Sequence, residues 1–376
     1  MKKIGFVGWR GMVGSVLLSR MVQESDFNHI DPYFFTTSQV GEPAPNFNQQ
    51  ETSLLDAMSY DELVKMDIIL SCQGGSYTQE IYPLLKKNGW DGHWIDAAST
   101  LRLDESALIV LDPLNSKAID EAHASGIKTW VGGNCTVSLM LLAIQGLIEN
   151  NAVEWVSSMT YQAASGAGAK NMRELLIQMG EIHSSVADKI DDLNHNILDL
   201  DKSSQEKMNS NNFTSEQFGM PLAGSLIPWI DEDLDNGKSK EEWKGQTETN
   251  KILSSCYDSI KVDGLCVRIG TMRSHSQALT IKLKKNIDLE RVENFLANGN
   301  DWVKFVANNK ADSANYLTPA AVSGKLDIAI GRVRMLNLED NVISAFTVGD
   351  QLLWGAAEPL RRMPVSYTHL PLPTKA

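Results

Sequence analysis

Lys3-Ile4-Gly5-Phe6-Val7-Gly8-Trp9-Arg10-Gly11-Met12-Val13-Gly14 is a short apolar run that ends in a glycine turn. The helical spacing Val16, Leu17, Leu18, Met21, Val22 follows at once. A buried strand, a glycine turn and a helix in that order make the phosphate-binding unit of a Rossmann-type sheet. The spacing is G-x-x-G-x-x-G rather than G-x-G-x-x-G, so position carries the reading more than pattern does. A tight turn with close helix packing is the competing reading.

Working outward, strand-like runs alternate with helical ones. Tyr33 to Ser38, Asp67 to Cys72, Trp94 to Ser99, Ile109 to Pro113 and Thr129 to Val131 read as strands. The alternation predicts an α/β fold with a mostly parallel, doubly wound sheet. Such sheets bind ligands at the C-terminal ends of their strands. Gln73-Gly74-Gly75-Ser76 and Arg102 follow two of those ends, so Arg102 is placed to meet an anion, although a surface arginine is commoner. The second strand ends in Thr37-Ser38 where an NAD-binding sheet would carry a carboxylate. With Arg10 in the glycine turn, those hydroxyls favour NADP over NAD.

Gly132-Gly133-Asn134-Cys135-Thr136 runs into the apolar stretch Val137 to Ile144. Asn134 and Thr136 are capping residues, so a buried helix is expected to begin here with Cys135 over its amide end. That position is expected to lower the thiol pKa and make a nucleophile. A buried structural cysteine is the alternative. A reactive thiol needs a base, and of seven histidines His275 sits in the most suggestive segment, Thr271 to Gln277, after the arginine-bearing strand Val262 to Ile269.

Beyond Cys135 the pattern changes. Val156 to Gln162, Val262 to Ile269, Ala278 to Leu283, Asp327 to Met335 and Asn341 to Val348 read as strands of a mixed or antiparallel sheet able to carry a subunit interface. Residues 171 to 200 show helical spacing, 201 to 219 read as a polar surface excursion, Glu241 to Gly245 opens a helix, and Gly349 to Leu360 is a last helix. Residues 364–376, with three prolines, are expected not to continue it and read as a non-native tail. The expected division is 1–133, completed by 350–363, and 134–349.

Composition bounds the rest. With 376 residues, 43% hydrophobic and 22% charged, the chain can bury a large core over two domains. A net charge of −13 argues against nucleic-acid binding. Four cysteines without a C-x-x-C pair suggest neither a disulfide framework nor zinc, and fit a cytoplasmic setting. No signal-peptide core opens the chain, and no run reaches membrane-spanning length.

From Met1 to about Met363 the chain resembles the aspartate-β-semialdehyde dehydrogenases of the bacterial, Gram-negative type. The resemblance rests on Gly8 to Gly14, Gly132 to Thr136, Tyr161-Gln162-Ala163-Ala164-Ser165-Gly166-Ala167-Gly168, Glu241-Glu242-Trp243-Lys244 and Arg268 to Ser276. It implies a Rossmann-type domain joined to an α+β catalytic and dimerisation domain, in a homodimer. It also implies conversion of L-aspartate 4-semialdehyde, phosphate and NADP+ into 4-aspartyl phosphate and NADPH, a step towards lysine, threonine, methionine and diaminopimelate. On this resemblance Cys135 is the nucleophile and His275 the acid/base that takes the thiol proton. Asn134 helps stabilise the oxyanion and Gln162 orients substrate. Arg268 holds the α-carboxylate, Glu241 the α-ammonium, and Arg102 and Lys244 the phosphate. Gly8, Arg10, Gly11, Met12, Val13, Thr37, Ser38, Gln73, Ser165, Gly166 and Gln351 contact NADP, and no metal is required.

Other functions leave residues unexplained. An N-acetyl-γ-glutamyl-phosphate reductase has no ammonium for Glu241. A thiol hydrolase or acyltransferase has no use for the glycine turn, and a non-catalytic NADP sensor none for Cys135 with His275.

Overall fold

In the computed structural model the described residues are 1–47, 49–254 and 256–367, the last four as helix backbone. The first half contains β1 (Lys2–Val7), α1 (Met12–Gln23), β2 (Ile30–Thr36), β3 (Leu55–Asp56), α2 (Tyr60–Leu63), β4 (Ile68–Ser71), α3 (Gly75–Lys87), β5 (His93–Asp96), β6 (Ala107–Val110), α4 (Asp112–Ala124) and β7 (Thr129–Gly132). Its strands form a parallel sheet ordered β3-β2-β1-β4-β5-β7-β6. The chain runs from β1 through β2 to β3 on one side and returns to β4 on the other side of β1, so a crevice opens where β1 and β4 end, at Gly8 and at Gln73-Gly74.

Both faces of this sheet are covered, which is why its strands read as unbroken apolar runs. Ile4, Phe6, Leu70 and Trp130 meet Leu17 and Met21 of α1 on one side. Val7, Ile69 and Trp94 meet Tyr77, Ile81 and Leu85 of α3 on the other. Each such aliphatic side chain contributes roughly 1.5–3 kcal/mol by leaving water.

The second half contains α5 (Cys135–Ala143), α6 (Gln145–Glu149), β8 (Val153–Gln162), α7 (Ala169–Ser184), α8 (Ile197–Met208), β9 (Leu226–Ile227), α9 (Lys240–Leu253), β10 (Lys261–Ile269) and β11 (His275–Leu283). It continues with α10 (Leu289–Ala297), β12 (Val303–Phe305), α11 (Lys310–Tyr316), α12 (Pro319–Val322), β13 (Ile328–Met335), β14 (Val342–Gly349) and α13 (Glu358–Tyr367). Its mixed sheet runs β12-β13-β14-β11-β8-β10-β9. The β8–β10 and β12–β13 pairs are parallel and the other pairs antiparallel. Helix α5 is buried on every side, as a helix apolar all round must be, and packs with α9 and α10 against this sheet. Met159, Tyr161 and Leu265 on its strands remain exposed.

Four expectations change. The helical stretch at 171–200 is two helices, α7 and α8, separated by turns over 185–196. Residues 201–208 of the expected polar excursion at 201–219 are therefore helix. Asn196 caps α8 by accepting from the Leu198 amide at 3.0 Å, and α8 buries no residue, so no apolar stripe marks it in the sequence. Gly349 to Leu360 is not one helix: a turn at 350–351 leads into a π-helical turn, Leu353–Ala357, before α13 begins. Helix α13 then runs through Pro364 to Tyr367, because one proline removes a single amide donor. The rest of the expected tail, with Pro371 and Pro373, lies outside the described residues.

Helix α13 returns to the first sheet. Leu360 and Met363 join the core under β1, β4 and β7. Arg361 Nη1 meets Asp26 Oδ2 at 2.9 Å and its Nη2 meets Glu358 Oε1 at 2.8 Å. Arg20 of α1 holds the other oxygen of Glu358 at 3.0 Å, and Arg362 pairs with Asp112 at 2.6 Å. Among the described residues no helix is long and apolar enough to cross a membrane.

Candidate active site

Strand β7 delivers Gly132 and Gly133 to the start of α5. A side chain at Gly133 would come within 2.9 Å of Ser138 Oγ, so the turn packs too closely for any residue but glycine. Asn134 is the cap: its Oδ1 accepts from the amides of Thr136 at 3.0 Å and Val137 at 3.2 Å. Thr136, also expected to cap, instead donates its hydroxyl to the same oxygen at 2.7 Å. Cys135 is thus the first helical residue and opens onto a cavity of about 380 Å³.

The expected fall in the thiol pKa is not found. Burial pushes the Cys135 thiol up to about 12, and Glu241 adds to the rise, while Arg268, Arg102 and the Thr136 amide act against it. Removal from water and a facing carboxylate outweigh the helix end. The resting group is a protonated thiol.

Around it the cavity gathers Asn134, Gln162, Arg102, Glu241, Lys244 and Arg268 from both halves, with Val13, Gly166 and Gln351. Helix α9 supplies two of them. It starts in a capping box in which Ser239 and Glu242 bond each other's amides. Glu241 Oε1 accepts from Asn134 Nδ2 at 2.9 Å and Gln162 Nε2 at 3.2 Å. Its Oε2 meets Lys244 Nζ at 3.2 Å, and Asp231 Oδ2 meets that same nitrogen at 2.6 Å. Burial opposes the charge on Lys244, but Glu241 and Asp231 more than restore it and raise its pKa. Arg268 lies beside Gln162 in the parallel β8–β10 register and donates to Ala163 O at 2.8 Å.

His275 is not in a loop but is the first residue of β11, and it does not line the cavity. It is buried behind Gly166, where an added Cβ would approach His275 Nε2 to 3.0 Å and Arg268 Nη1 to 2.8 Å. The Ala163 amide donates to its Nδ1 at 3.0 Å, and its Nε2 has no partner. Burial first, and Arg268 second, hold its pKa well below the ordinary value, so the ring is neutral, with its proton on Nε2.

The remaining expected residues sit on the dinucleotide side. Gly8 has φ +73°, and a Cβ there would lie 2.5 Å from the backbone of Cys72; one at Gly14 would lie 2.4 Å from Gly8 O. Both positions bring the turn, α1 and β4 together as only glycine allows. The Gly11 amide donates to Gly8 O at 3.0 Å and closes the turn before α1, Gln73 precedes α3, and neither helix start has a side-chain cap, the arrangement that suits phosphate oxygens. The Trp9 indole donates to Phe35 O at 3.1 Å and Arg10 stacks on the Trp9 ring at 4.6 Å. That ties the turn to the end of β2, where Thr37 and Ser38 are exposed. Gln351 and Ser165 are buried, and Gln351 Oε1 and Ser165 Oγ have no partner.

Sequence reasoning missed Asp231, Glu248 and Gly355. A Cβ at Gly355 would lie 2.9 Å from Cys135 Cβ, so the π-helical turn seats its backbone against the thiol. Glu248 carried a signal: it follows Glu241 and Lys244 on one face of α9 at helical spacing. Among the described residues no group of three or more His, Cys, Asp or Glu could hold a metal ion.

Comparisons with known proteins agree with this architecture. Residues 3–122 match the family model for the semialdehyde dehydrogenase NAD binding domain, and 144–354 that for the semialdehyde dehydrogenase dimerisation domain. The chain is similar to aspartate semialdehyde dehydrogenase from Francisella tularensis, with 52% identity, a TM-score of 0.93 and coverage of 98% of this chain and 100% of that one. Vibrio cholerae aspartate semialdehyde dehydrogenase II complexed with ASA shares the fold at TM-score 0.79 and 24% identity, covering 98% of each chain. So does the Candida albicans enzyme with NADP, at TM-score 0.65 and 14% identity, covering 98% of this chain and 99% of that one. Fold and matches together define an oxidoreductase of the semialdehyde dehydrogenase class. The chain belongs to the aspartate-semialdehyde dehydrogenase family.

Proposed function

We propose that this enzyme interconverts L-aspartate 4-semialdehyde, phosphate and NADP+ with 4-aspartyl phosphate and NADPH through a thioester on Cys135. The supporting observation is the cavity itself, in which one thiol at a helix start faces three cationic side chains and the carboxylate of Glu241. An amino-acid aldehyde and an anionic acceptor need that combination. Arg268 takes the α-carboxylate through its planar fork, and Glu241 the α-ammonium. Arg102 and Lys244 take phosphate, and Gln162 and Asn134 position the carbonyl. Glu241 is the feature that favours this substrate over an N-acylated analogue.

Cys135 Sγ bonds to the aldehyde carbon as the C=O π bond opens and the thiol proton passes to the aldehyde oxygen, giving a hemithioacetal. Because the Ala163 amide fills Nδ1, neutral His275 carries its proton on Nε2, and offering it to the oxygen formed there requires the Gly166 segment that covers the ring to shift. Taking up the thiol proton, the acid/base role implied by the family resemblance, requires the ring to leave Ala163 and free a nitrogen. NADP+, when bound, would accept the hydride of this carbon, and with the hydroxyl proton released to solvent the carbon would become the thioester. A phosphate oxygen then bonds to the thioester carbon, the C–S bond breaks, and Cys135 regains its proton.

The residues fit the dinucleotide: a glycine cradle, two uncapped helix starts, and buried, unpartnered Gln351 and Ser165. Arg10 with Thr37 and Ser38 supports NADP rather than NAD. The same reading divides the chain into 1–133 with 350–363, and 134–349, supported by the separate sheets and the return of α13. It sets the reaction in amino-acid biosynthesis in the cytoplasm, a setting that suits four free cysteines.

The test is NADP+ reduction with aspartate semialdehyde, with and without phosphate, beside the same assay with NAD+. Reduction should depend on phosphate, prefer NADP+ and vanish in Cys135→Ala. Turnover surviving that substitution would overturn the thioester, and product release without phosphate would point to a hydrolytic dehydrogenase.

A further inference from the structure

Glu248 has no part in the chemistry just described, yet it is 2% exposed and holds two fixed points of the site. Its Oε1 pairs with Arg102 Nη1 at 3.1 Å. Its Oε2 accepts the backbone amide of Asn134, the residue before the nucleophile, at 2.6 Å. Arg102 in turn donates through Nε to Gly132 O at 2.7 Å. These contacts close a ring: Arg102 to Gly132, along the chain to Asn134, to Glu248 and back to Arg102. The Gly132-Gly133 turn lies inside it.

Arg102 comes from the first half of the chain, after β5, while Lys244 and Glu241 stand on α9. Without Glu248, the hydrogen bond that remains on the guanidinium among the described residues is the one to the Gly132 carbonyl. With it, α9 spaces three groups from one rigid helix face: Glu241, Lys244 and, through Glu248, Arg102. A carboxylate is the group that can accept from a guanidinium and from a backbone amide at once, both as charge-assisted bonds.

We infer that Glu248 is a positioning residue that holds the Arg102 guanidinium at a set distance from Cys135 and so directs the phosphate onto the thioester carbon. This rests on the reading of Arg102 as a phosphate ligand.

Glu248→Gln separates the two contacts, since its single carbonyl oxygen can keep the Asn134 amide while the charge facing Arg102 is lost. The expected result is a phosphate KM raised by about tenfold or more, as for loss of one charged hydrogen bond. The aldehyde KM and the rate of Cys135 alkylation by iodoacetamide should stay within about twofold. Glu248→Ala should slow phosphate use and also change the alkylation rate, because both contacts go. If Glu248→Gln does not fold, Glu248→Asp keeps the charge but withdraws it by one methylene, and should raise the phosphate KM in the same selective way. An unchanged phosphate KM, or equal rises in both KM values with a fall in Tm, would overturn the proposal and leave Glu248 a structural residue. Arg102→Leu separates the two levels. If it leaves the phosphate KM unchanged, the reading of Arg102 fails. If it raises that KM while Glu248→Gln does not, only the role of Glu248 fails. The double variant should be no worse than Arg102→Leu alone.

Discussion

Gln277 Nε2 donates to the backbone oxygen of Thr136 at 2.9 Å, so the strand that begins with His275 grips the first turn of the helix that begins with Cys135. Ser158 completes the contact by donating to Gln277 Oε1 at 2.9 Å. The distance between nucleophile and histidine is thereby held by a side chain that touches neither.

Gln277→Leu keeps the volume and removes both bonds, leaving the Ser158 hydroxyl without its buried acceptor while the Thr136 carbonyl keeps only its partner within the helix. We expect a stability loss of about 1–3 kcal/mol in urea unfolding. We also expect kcat to fall by more than either KM rises. A variant with wild-type kcat would show that the strand–helix contact does not set the reacting geometry.

Glu241 has two opposed effects. It is proposed to hold the substrate ammonium, and it helps keep the Cys135 thiol protonated. Glu241→Gln should therefore raise the aldehyde KM while speeding iodoacetamide alkylation of the ligand-free enzyme at pH 8, because removal of a nearby negative charge lowers the thiol pKa. Alkylation at the wild-type rate would exclude the electrostatic effect, and an unchanged KM the binding role.

Asp231 occupies Lys244 at 2.6 Å, on a backbone with φ +72°, and a phosphate must compete with it. Asp231→Asn should lower the phosphate KM by roughly two- to fivefold, the scale of a partly exposed ion pair. A higher phosphate KM would mean that Asp231 orients Lys244 instead of competing for it.

His275 also leaves a signature in stability. Its folded pKa is depressed by burial and by Arg268, so below about pH 6.5 the unfolded chain binds a proton that the folded one refuses. Its contribution is present above that pH and is lost as pH falls. Relative to His275→Asn, the wild type should lose up to about 1.4 kcal/mol more per pH unit between pH 6 and 5. Parallel pH dependences in urea unfolding would contradict a buried neutral ring.

The first sheet apart from β3 was legible in the sequence because its strands centre on apolar runs bounded by glycine or polar turns. The nucleophile's helix was legible because Asn134 caps it beside two glycines. Elements whose stability comes from context were not: α8 buries no side chain, and β3 and β9 are two residues long. In the site, Cys135, Asn134, Gln162, Arg102, Glu241, Lys244 and Arg268 line one cavity. The state of the thiol was missed because helix position is local, whereas its burial and the approach of Glu241 are properties of the whole fold. Glu248 and Asp231 were missed because an acidic residue in a charged, polar stretch looks solvated until its partner's position is known.

Arg361 and Arg362 bond Asp26 and Asp112, which precede them by 335 and 250 positions. A chain leaving the ribosome therefore presents the glycine turn first and the helix that seals its flank hundreds of residues later. Until residues 358–363 emerge, two carboxylates and the underside of the first sheet await their partners, so the earliest layer to be made is the latest to be finished. A nascent chain that already carries the thiol and its cations still lacks this cover for the sheet that bears the glycine turn.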